Sequence, residues 1–293
     1  AGARGRCRAC VRSGDRKGGS LDGGVVAGKS AQRGRGQMLP DDIIAPFCNG
    51  GIMEGTAVVT GASSGIGEAI ARHLLESGCT VIALQRRPPR FQHDQLIFHS
   101  VDLADSVAAR KAADEIAARH PVRYLVNNAG VNRPGLLEQA TVEDMDYALA
   151  LNVRAAMILV QTFAPGMRAA KFGRIVSLSS RAIMGKTGRT VYSAAKAGLV
   201  GMTRTWCLEL AVDGITVNAI APGPVATELF DRGHPPGGDK RQRVIDSIPV
   251  KRVGTPDDIA RAAVFLLSPT SGYITGQTLF VCGGTSISGS GGE

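Results

Sequence analysis

The sequence predicts an α/β fold: a single doubly wound domain on a mostly parallel sheet. Three observations predict it. From residue 56 onward, short apolar runs of strand length alternate with amphipathic stretches of helix length. The first apolar run passes directly into a glycine-rich turn and then a helical pattern. No internal repeat or linker divides residues 53–293, and a chain of this size can bury one sizeable core.

The elements follow in order. TAVVT, 56–60, is a short buried strand, and residues 65–77 carry a helical pattern. TVIAL at 80–84 and LIFHSVD at 96–102 are the second and third strands, the latter followed by an Ala-rich helix to about residue 119. YLVNN at 124–128 is the fourth strand, and helical patterns flank RIVSLSS at 174–180 and ITVNAIAPG at 215–223. A late helix opens with Thr255 as N-cap, Pro256 in its first position and Asp257 and Asp258 in its first turn. GQTLFV, 276–281, is the last strand. Strands alternating with helices imply a parallel sheet covered on both faces. DRGHPPGGD, 231–239, reads as a mobile loop inside the domain.

Residues 1–52 differ from the rest. They hold 12 of the 38 glycines and nine basic residues against four acidic ones, so +5 of the net +9 lies there. Such a segment buries too little apolar surface to offset its ordering entropy and reads as a disordered, dispensable extension. It has no apolar core of a secretory signal, and its glycine and aspartate content argues against a transit peptide. The remainder carries only +4 and 4% of the chain is aromatic, so the folded part needs no nucleic acid as partner. No apolar run of about 18 residues is evident, which predicts no membrane span. Cys7 and Cys10 form a lone C-x-x-C without a second pair or nearby His, and the five histidines do not cluster, so no metal is expected. With Cys48, Cys79, Cys207 and Cys282 scattered, the thiols read as reduced and the protein as cytoplasmic.

Two motifs carry chemistry. In TGASSGIG, 60–67, Gly61, Gly65 and Gly67 allow a tight turn, close backbone approach and close helix–strand packing. The helix that follows offers free N–H groups and a positive dipole end to a phosphate. VYSAAKAGL, 191–199, places Tyr192 and Lys196 one turn apart on one helix face. A cation beside a phenol lowers its pKa, which makes Tyr192 a candidate proton donor or acceptor near neutral pH.

The T-G-x-x-x-G-x-G spacing, together with NNAG at 127–130 and Y-x-x-x-K, resembles the short-chain dehydrogenase/reductase family, whose fold is Rossmann-type. LNV at 151–153, SLSS at 177–180 and APGPVATEL at 221–229 follow in that family's order, and the resemblance covers about residues 53–284. It implies that Tyr192 protonates a carbonyl oxygen during reduction. It implies that Lys196 lowers the pKa of Tyr192 and binds the nicotinamide ribose, and that Asn152 anchors a water relaying protons from Lys196. A serine holds the substrate oxygen: counting 13 residues back from the tyrosine gives Ser179, whereas the strand motif gives Ser180. Strand side chains alternate, so only one can face the substrate, and Ser180 is favoured because loops absorb deletions more readily than strands. For the cofactor the resemblance implies Gly61, Ser63, Ser64, Gly65, Ile66 and Gly67 at the phosphates, and Asp102 with Leu103 at the adenine. Asn128, Ala129 and Gly130 line it by backbone, and Pro222, Gly223, Val225 and Thr227 close over the carboxamide.

The second strand ends in Gln85, where an NAD-binding site of this kind carries an acid, and Arg86 and Arg87 follow. A guanidinium fork matches phosphate geometry, so NADP(H) is the expected cofactor with Arg86 as contact, NAD(H) being possible. The expected reaction is hydride transfer between NADP(H) and a small-molecule carbonyl or secondary alcohol, a 3-oxoacyl thioester among the candidates. Sugar, polyol and steroid dehydrogenation remain open. Arg232, Lys240, Arg241 and Arg243, within 227–248, either receive an acidic carrier or phosphate or form a solvated charge run, the latter favoured. A catalytically silent nucleotide-binding protein is the rival on the same fold, and a nucleic-acid binder the rival raised by charge. The apolar last strand, in this family a subunit interface, implies a homodimer or homotetramer.

Overall fold

The computed structural model describes residues 53–288. The expectation for residues 1–52, including Cys7, Cys10 and Cys48, lies outside them.

Seven strands form one sheet in the order β3-β2-β1-β4-β5-β6-β7, every neighbouring pair parallel. They are β1 (Thr56–Thr60), β2 (Thr80–Gln85), β3 (Leu96–Ser100), β4 (Val122–Asn127), β5 (Gly173–Leu178), β6 (Ile215–Pro222) and β7 (Thr278–Val281). The helices that matter here are α1 (Gly65–Glu76), α2 (Ser106–Arg119), α3 (Val142–Leu149), α4 (Ala155–Ala169), α5 (Thr190–Leu210), α6 (Glu228–Gly233), α7 (Asp239–Ser247) and α8 (Pro256–Leu267). The order reverses between β1 and β4, which opens a crevice at the carboxyl ends of those two strands.

Strand alternation divides the core. Ala57 and Val59 of β1 point to the layer of α1 and α8, where Ile70, Leu74, Ile259 and Leu266 are buried. Val58 points to the opposite layer, with Ile116, Leu159, Phe163 and Met167 from α2 and α4. Met53 belongs to the first layer: it is buried, and its N–H donates to Ser77 O at 2.8 Å. Thr255 caps α8 as its sequence predicts, in a capping box with Asp258.

Three local features depart from the sequence reading. Residues 142–169 form one continuous helical run, α3 and α4 joined by a π-turn at Ala150–Arg154. Its apolarity suffices for a membrane span, contrary to the expectation of none, but half of that window is buried inside the fold. Ile158, Leu159, Phe163 and Met167 account for it by packing on the sheet. The predicted loop 231–239 is not a plain loop: α6 runs into it and α7 begins at its end. Arg241 of α7 reaches back to Asp231 at 2.6 Å and to His234 O at 3.1 Å, which fastens the connection.

Two glycines in helices have opposite surroundings. A Cβ on Gly67 would lie 2.2 Å from Gly61 O, whereas one on Gly201 meets nothing within 4 Å. Gly67→Ala should therefore lower stability by about 2 kcal/mol or more, because backbone must move. Gly201→Ala should raise it by about 0.5–1 kcal/mol. Urea titrations of the two variants check both signs.

Candidate active site

The glycine-rich turn is held open by its neighbours rather than by its own bonds. Asn128 Nδ2 donates to Thr60 O at 2.9 Å and to Gly61 O at 3.0 Å. The Thr60 hydroxyl accepts the N–H groups of Asn128 and Ala129, both at 2.9 Å. Gly61 and Gly65 adopt left-handed backbone, φ 69° and 60°. Gly67 lets α1 approach the turn at a distance no other residue allows. Ser64 precedes α1 in an extended conformation and makes no side-chain cap, which leaves the first-turn N–H groups to an anion. This is a cradle a Cβ would fill, and it fits a dinucleotide pyrophosphate.

A cleft of about 620 Å³ opens beside the turn. Of the residues expected from the sequence, Ser64, Gly65, Ile66, Gly67, Asn128, Gly130, Ser180, Tyr192, Lys196, Pro222, Gly223, Val225 and Thr227 line it. Ser63 and Ala129 are half-buried nearby in the chain but do not line it. The structure leaves Arg86, Asp102 and Leu103 outside that lining too, at the ends of β2 and β3. Arg86 Nη1 stands 3.8 Å from Asp102 Oδ2, both exposed, while the Leu103 side chain is buried in the core. Gln85 is buried; its amide donates to Arg87 O at 2.8 Å and its Oε1 has no partner.

The two serines are separated by the pleat. Ser179 is buried and its hydroxyl donates to Lys196 O at 2.9 Å. Ser180 is half-buried, starts the 3-10 turn Arg181–Met184, and accepts from Ala182 N at 3.1 Å. Its hydroxyl is near enough to Tyr192 to favour the phenolate.

Lys196 is buried, and its Nζ donates to Leu178 O at 2.6 Å. Burial pulls its pKa from 10.5 to about 8. Tyr192 runs opposite to the sequence expectation. Burial raises its pKa, outweighing the hydrogen bond from Ser180 and the charge of Arg189, which act to lower it. Lys196 Nζ lies 5.8 Å from the ring centroid and is turned toward Leu178, so the cation is not what sets the phenol. Tyr192 is thereby kept protonated at neutral pH, the state of a donor.

Asn152 sits in the π-turn with both amide atoms engaged by one residue: Oδ1 accepts from Val131 N at 2.7 Å and Nδ2 donates to Val131 O at 3.0 Å. Its side chain pins the loop after β4, with one N–H and one lone pair of the amide still unused by Val131. Gly130 lies between these groups: a Cβ there would be 3.0 Å from Asn152 Oδ1 and 3.2 Å from Lys196 Nζ. Over the cleft, Thr227 caps α6 with its hydroxyl, and its methyl carbon would be 3.2 Å from a Cβ on Gly65. Arg90, from the segment between β2 and β3, pairs with Glu228 of α6 and straps that helix down.

Several lining residues were not anticipated from sequence. Asn132 lines the cleft with a buried, unpartnered Oδ1. Arg181, Lys186 and Arg189 line it on the side of Ser180. Their only signal was three basic residues between the serine and tyrosine motifs. Of the charges in 227–248, Arg241 is ion-paired to Asp231 and Arg232 lines the cleft.

A family model described as enoyl-(acyl carrier protein) reductase matches residues 61–286. The chain is 37% identical over 247 residues to the BbsD subunit of a hydroxy(phenyl)methyl-succinyl-CoA dehydrogenase from Thauera aromatica, covering 81% of this chain and 98% of that one. It is 35% identical to the 3-oxoacyl-(acyl-carrier-protein) reductase FabG of Rickettsia bellii, covering 78% and 95%. A solved 3-oxoacyl (acyl-carrier-protein) reductase from Agrobacterium tumefaciens C58, with NADP bound, superposes with a TM-score of 0.74 at 28% identity, covering 80% and 95%.

The buried ammonium has a cost that can be read against pH. A Lys196 pKa near 8 in the fold against 10.5 unfolded corresponds to about 3 kcal/mol. Below pH 8 the group is charged in both states and the whole cost is present. Between 8 and 10.5 the folded state binds fewer protons, so stability from this group rises with pH. Lys196→Met should therefore unfold at a temperature no lower than wild type at pH 7, despite orphaning Leu178 O. Its advantage should shrink as pH rises toward 10, as differential calorimetry across that range would show.

Proposed function

The chain belongs to the short-chain dehydrogenase/reductase family, and from that premise we propose that it is an NADP(H)-preferring carbonyl reductase or alcohol dehydrogenase. The observation that carries the reading is the cleft itself. It places Ser180, Tyr192 and a buried Lys196 beside a phosphate-sized cradle at the carboxyl ends of the central strands.

The cofactor fits the residues present. Gly61, Ser63, Ser64, Gly65, Ile66 and Gly67 would hold its pyrophosphate, Arg86 and Asp102 with the backbone of Leu103 its adenosine end, and Asn128, Ala129 and Gly130 the span between. Pro222, Gly223, Val225 and Thr227 would cover the nicotinamide. When bound, the nicotinamide supplies a hydride to the carbonyl carbon. The chain does the rest. Ser180 donates a hydrogen bond to the carbonyl oxygen and fixes its direction. Tyr192 Oη gives its proton to that oxygen as the C=O electron pair moves onto it, so an alcohol forms. Lys196, charged at neutral pH and bound to Leu178 O, would hold the nicotinamide ribose. Asn152 holds the Val131 loop so that Gly130 stays clear of Lys196 Nζ. A 3-oxoacyl thioester is one candidate substrate, supported by the relatives named above.

We take the catalytic domain to begin at Met53, which packs in the core, and the subunits to associate as a dimer or tetramer. Exposed apolar side chains at Leu208, Phe265, Tyr273 and Leu279 support association. Free thiols at Cys79, Cys207 and Cys282 support a cytoplasmic location.

Tyr192→Phe tests the reaction. Turnover of ketones with NADPH should fall by about 10²–10⁴-fold, while NADPH still quenches or shifts protein fluorescence as in wild type. Near-normal turnover refutes the assignment. Arg86→Ala tests the cofactor: the NADPH KM should rise several-fold with little change in the NADH KM, at fixed ionic strength. A wild-type kcat/KM higher with NADH would refute that preference.

A further inference from the structure

The wall of the cleft next to Ser180 and Tyr192 holds three cations. Arg181 opens the 3-10 turn that follows Ser180, Lys186 lies just beyond that turn, and Arg189 precedes α5, three residues before Tyr192. None forms an ion pair with an acid among the described residues. Arg181 reaches only Thr285 O, at 3.5 Å, and Arg189 Nη1 is spent on the adjacent Gly188 O at 2.9 Å. Among the other arginines, Arg241 pairs with Asp231, Arg252 with Asp258 and Arg168 with Asp213, and Arg87, Arg119, Arg204, Arg243 and Arg261, which do not pair within the described residues, stand exposed, whereas Arg181 and Arg189 are half-buried. The one acid lining the cleft is Glu228, and Arg90 engages it.

The three cations also act on one another. Although Lys186 keeps much of its surface open, partial burial and the charges of Arg189 and Arg181 hold its pKa below the ordinary value. Gathering like charges beside a reaction site costs free energy unless an anion joins them. The cofactor does not answer that need. Its pyrophosphate cradle lies at the N-terminus of α1 and its adenosine end at β2 and β3. What remains is the substrate. Across the cleft, Leu229, Phe230 and Val244 add apolar surface, which suits a carbon skeleton between the reacting carbonyl and a charged end.

We propose that the substrate carries its own anionic group, a carboxylate or a phosphate, bound by Arg181, Lys186 and Arg189 while its carbonyl oxygen meets Ser180 and Tyr192. The inference rests on the reductase reading above and narrows it to acidic carbonyl compounds. Guanidinium forks and an ammonium suit either anion.

Calorimetry reads this site without turnover. Hexanoate, hexyl phosphate and hexan-1-ol are titrated into enzyme saturated with NADP⁺, which blocks the pyrophosphate cradle. At least one anion should bind about tenfold or more tighter than the alcohol, the size of one charge-assisted hydrogen bond. Lys186→Gln and Arg181→Gln should each remove most of that preference, as should raising the salt. Preference for hexanoate alone identifies a carboxylate, and for hexyl phosphate alone a phosphate. Equal binding of all three probes, or a preference indifferent to both variants, overturns the proposal. The same enzyme is assayed with 3-oxohexanoate against its methyl ester, and with dihydroxyacetone phosphate against dihydroxyacetone. Turnover without preference for the charged member of either pair defeats the inference and leaves the reductase standing. Anion binding without turnover of any of the four, with either nicotinamide cofactor, counts against the reductase reading and against a substrate as owner of the anion.

Discussion

The amide of Asn128 and the hydroxyl of Thr60 form the joint on which the site depends. One side chain donates to two carbonyls of the glycine-rich turn, the other accepts two N–H groups from the end of β4. The turn has left-handed residues at both ends, and such backbone cannot be closed by regular ladder bonds. The clamp meets those polar groups from outside. It fixes the distance between β1 and β4 at the reversal point of the sheet, and α1 then descends onto the turn through Gly67. Loss of that closeness would separate the cradle from Gly130, and with it from Lys196.

The second constraint is dielectric. Lys196 sits under the sheet end with a single carbonyl partner, and Tyr192 is raised by the same burial that depresses the lysine. The two shifts have one cause and opposite signs, because burial disfavours the phenolate as well as the ammonium. The phenol is thereby held in its protonated form, while the ammonium, 5.8 Å from the ring centroid, is bound to a backbone carbonyl. The burial of the Lys196 ammonium costs stability at neutral pH.

Much of this was legible in the sequence because its signals are local. Strand-length apolar runs, the T-G-x-x-x-G-x-G turn and the four-residue step from Tyr192 to Lys196 each fix geometry within a few residues, and the seven-stranded sheet follows from their alternation. What was not legible depends on contacts far apart in the chain. The clamp at Asn128 joins residues 67 or 68 positions apart. The direction of the Tyr192 shift depends on how deeply α5 is covered, not on its neighbour at i+4. The residues at 231–239 look like a loop by composition, and only the pairing of Arg241 with Asp231 reveals two short helices braced together. The π-turn at Asn152 has no compositional mark, and the two bonds its side chain makes to Val131 span 21 residues.

Helix α6 and the cation wall bear on one another. Glu228 lines the same cleft as Arg181, Lys186 and Arg189. Its ion-pair partner is Arg90, from the segment between β2 and β3. The strap therefore does two things with one bond. It ties down α6, which Thr227 caps at the cleft, and it pairs the one carboxylate that lines the cleft. The uncompensated charge of the wall is thus a property of the whole cleft rather than of three surface side chains. It persists because the segment between β2 and β3 commits Arg90 to Glu228.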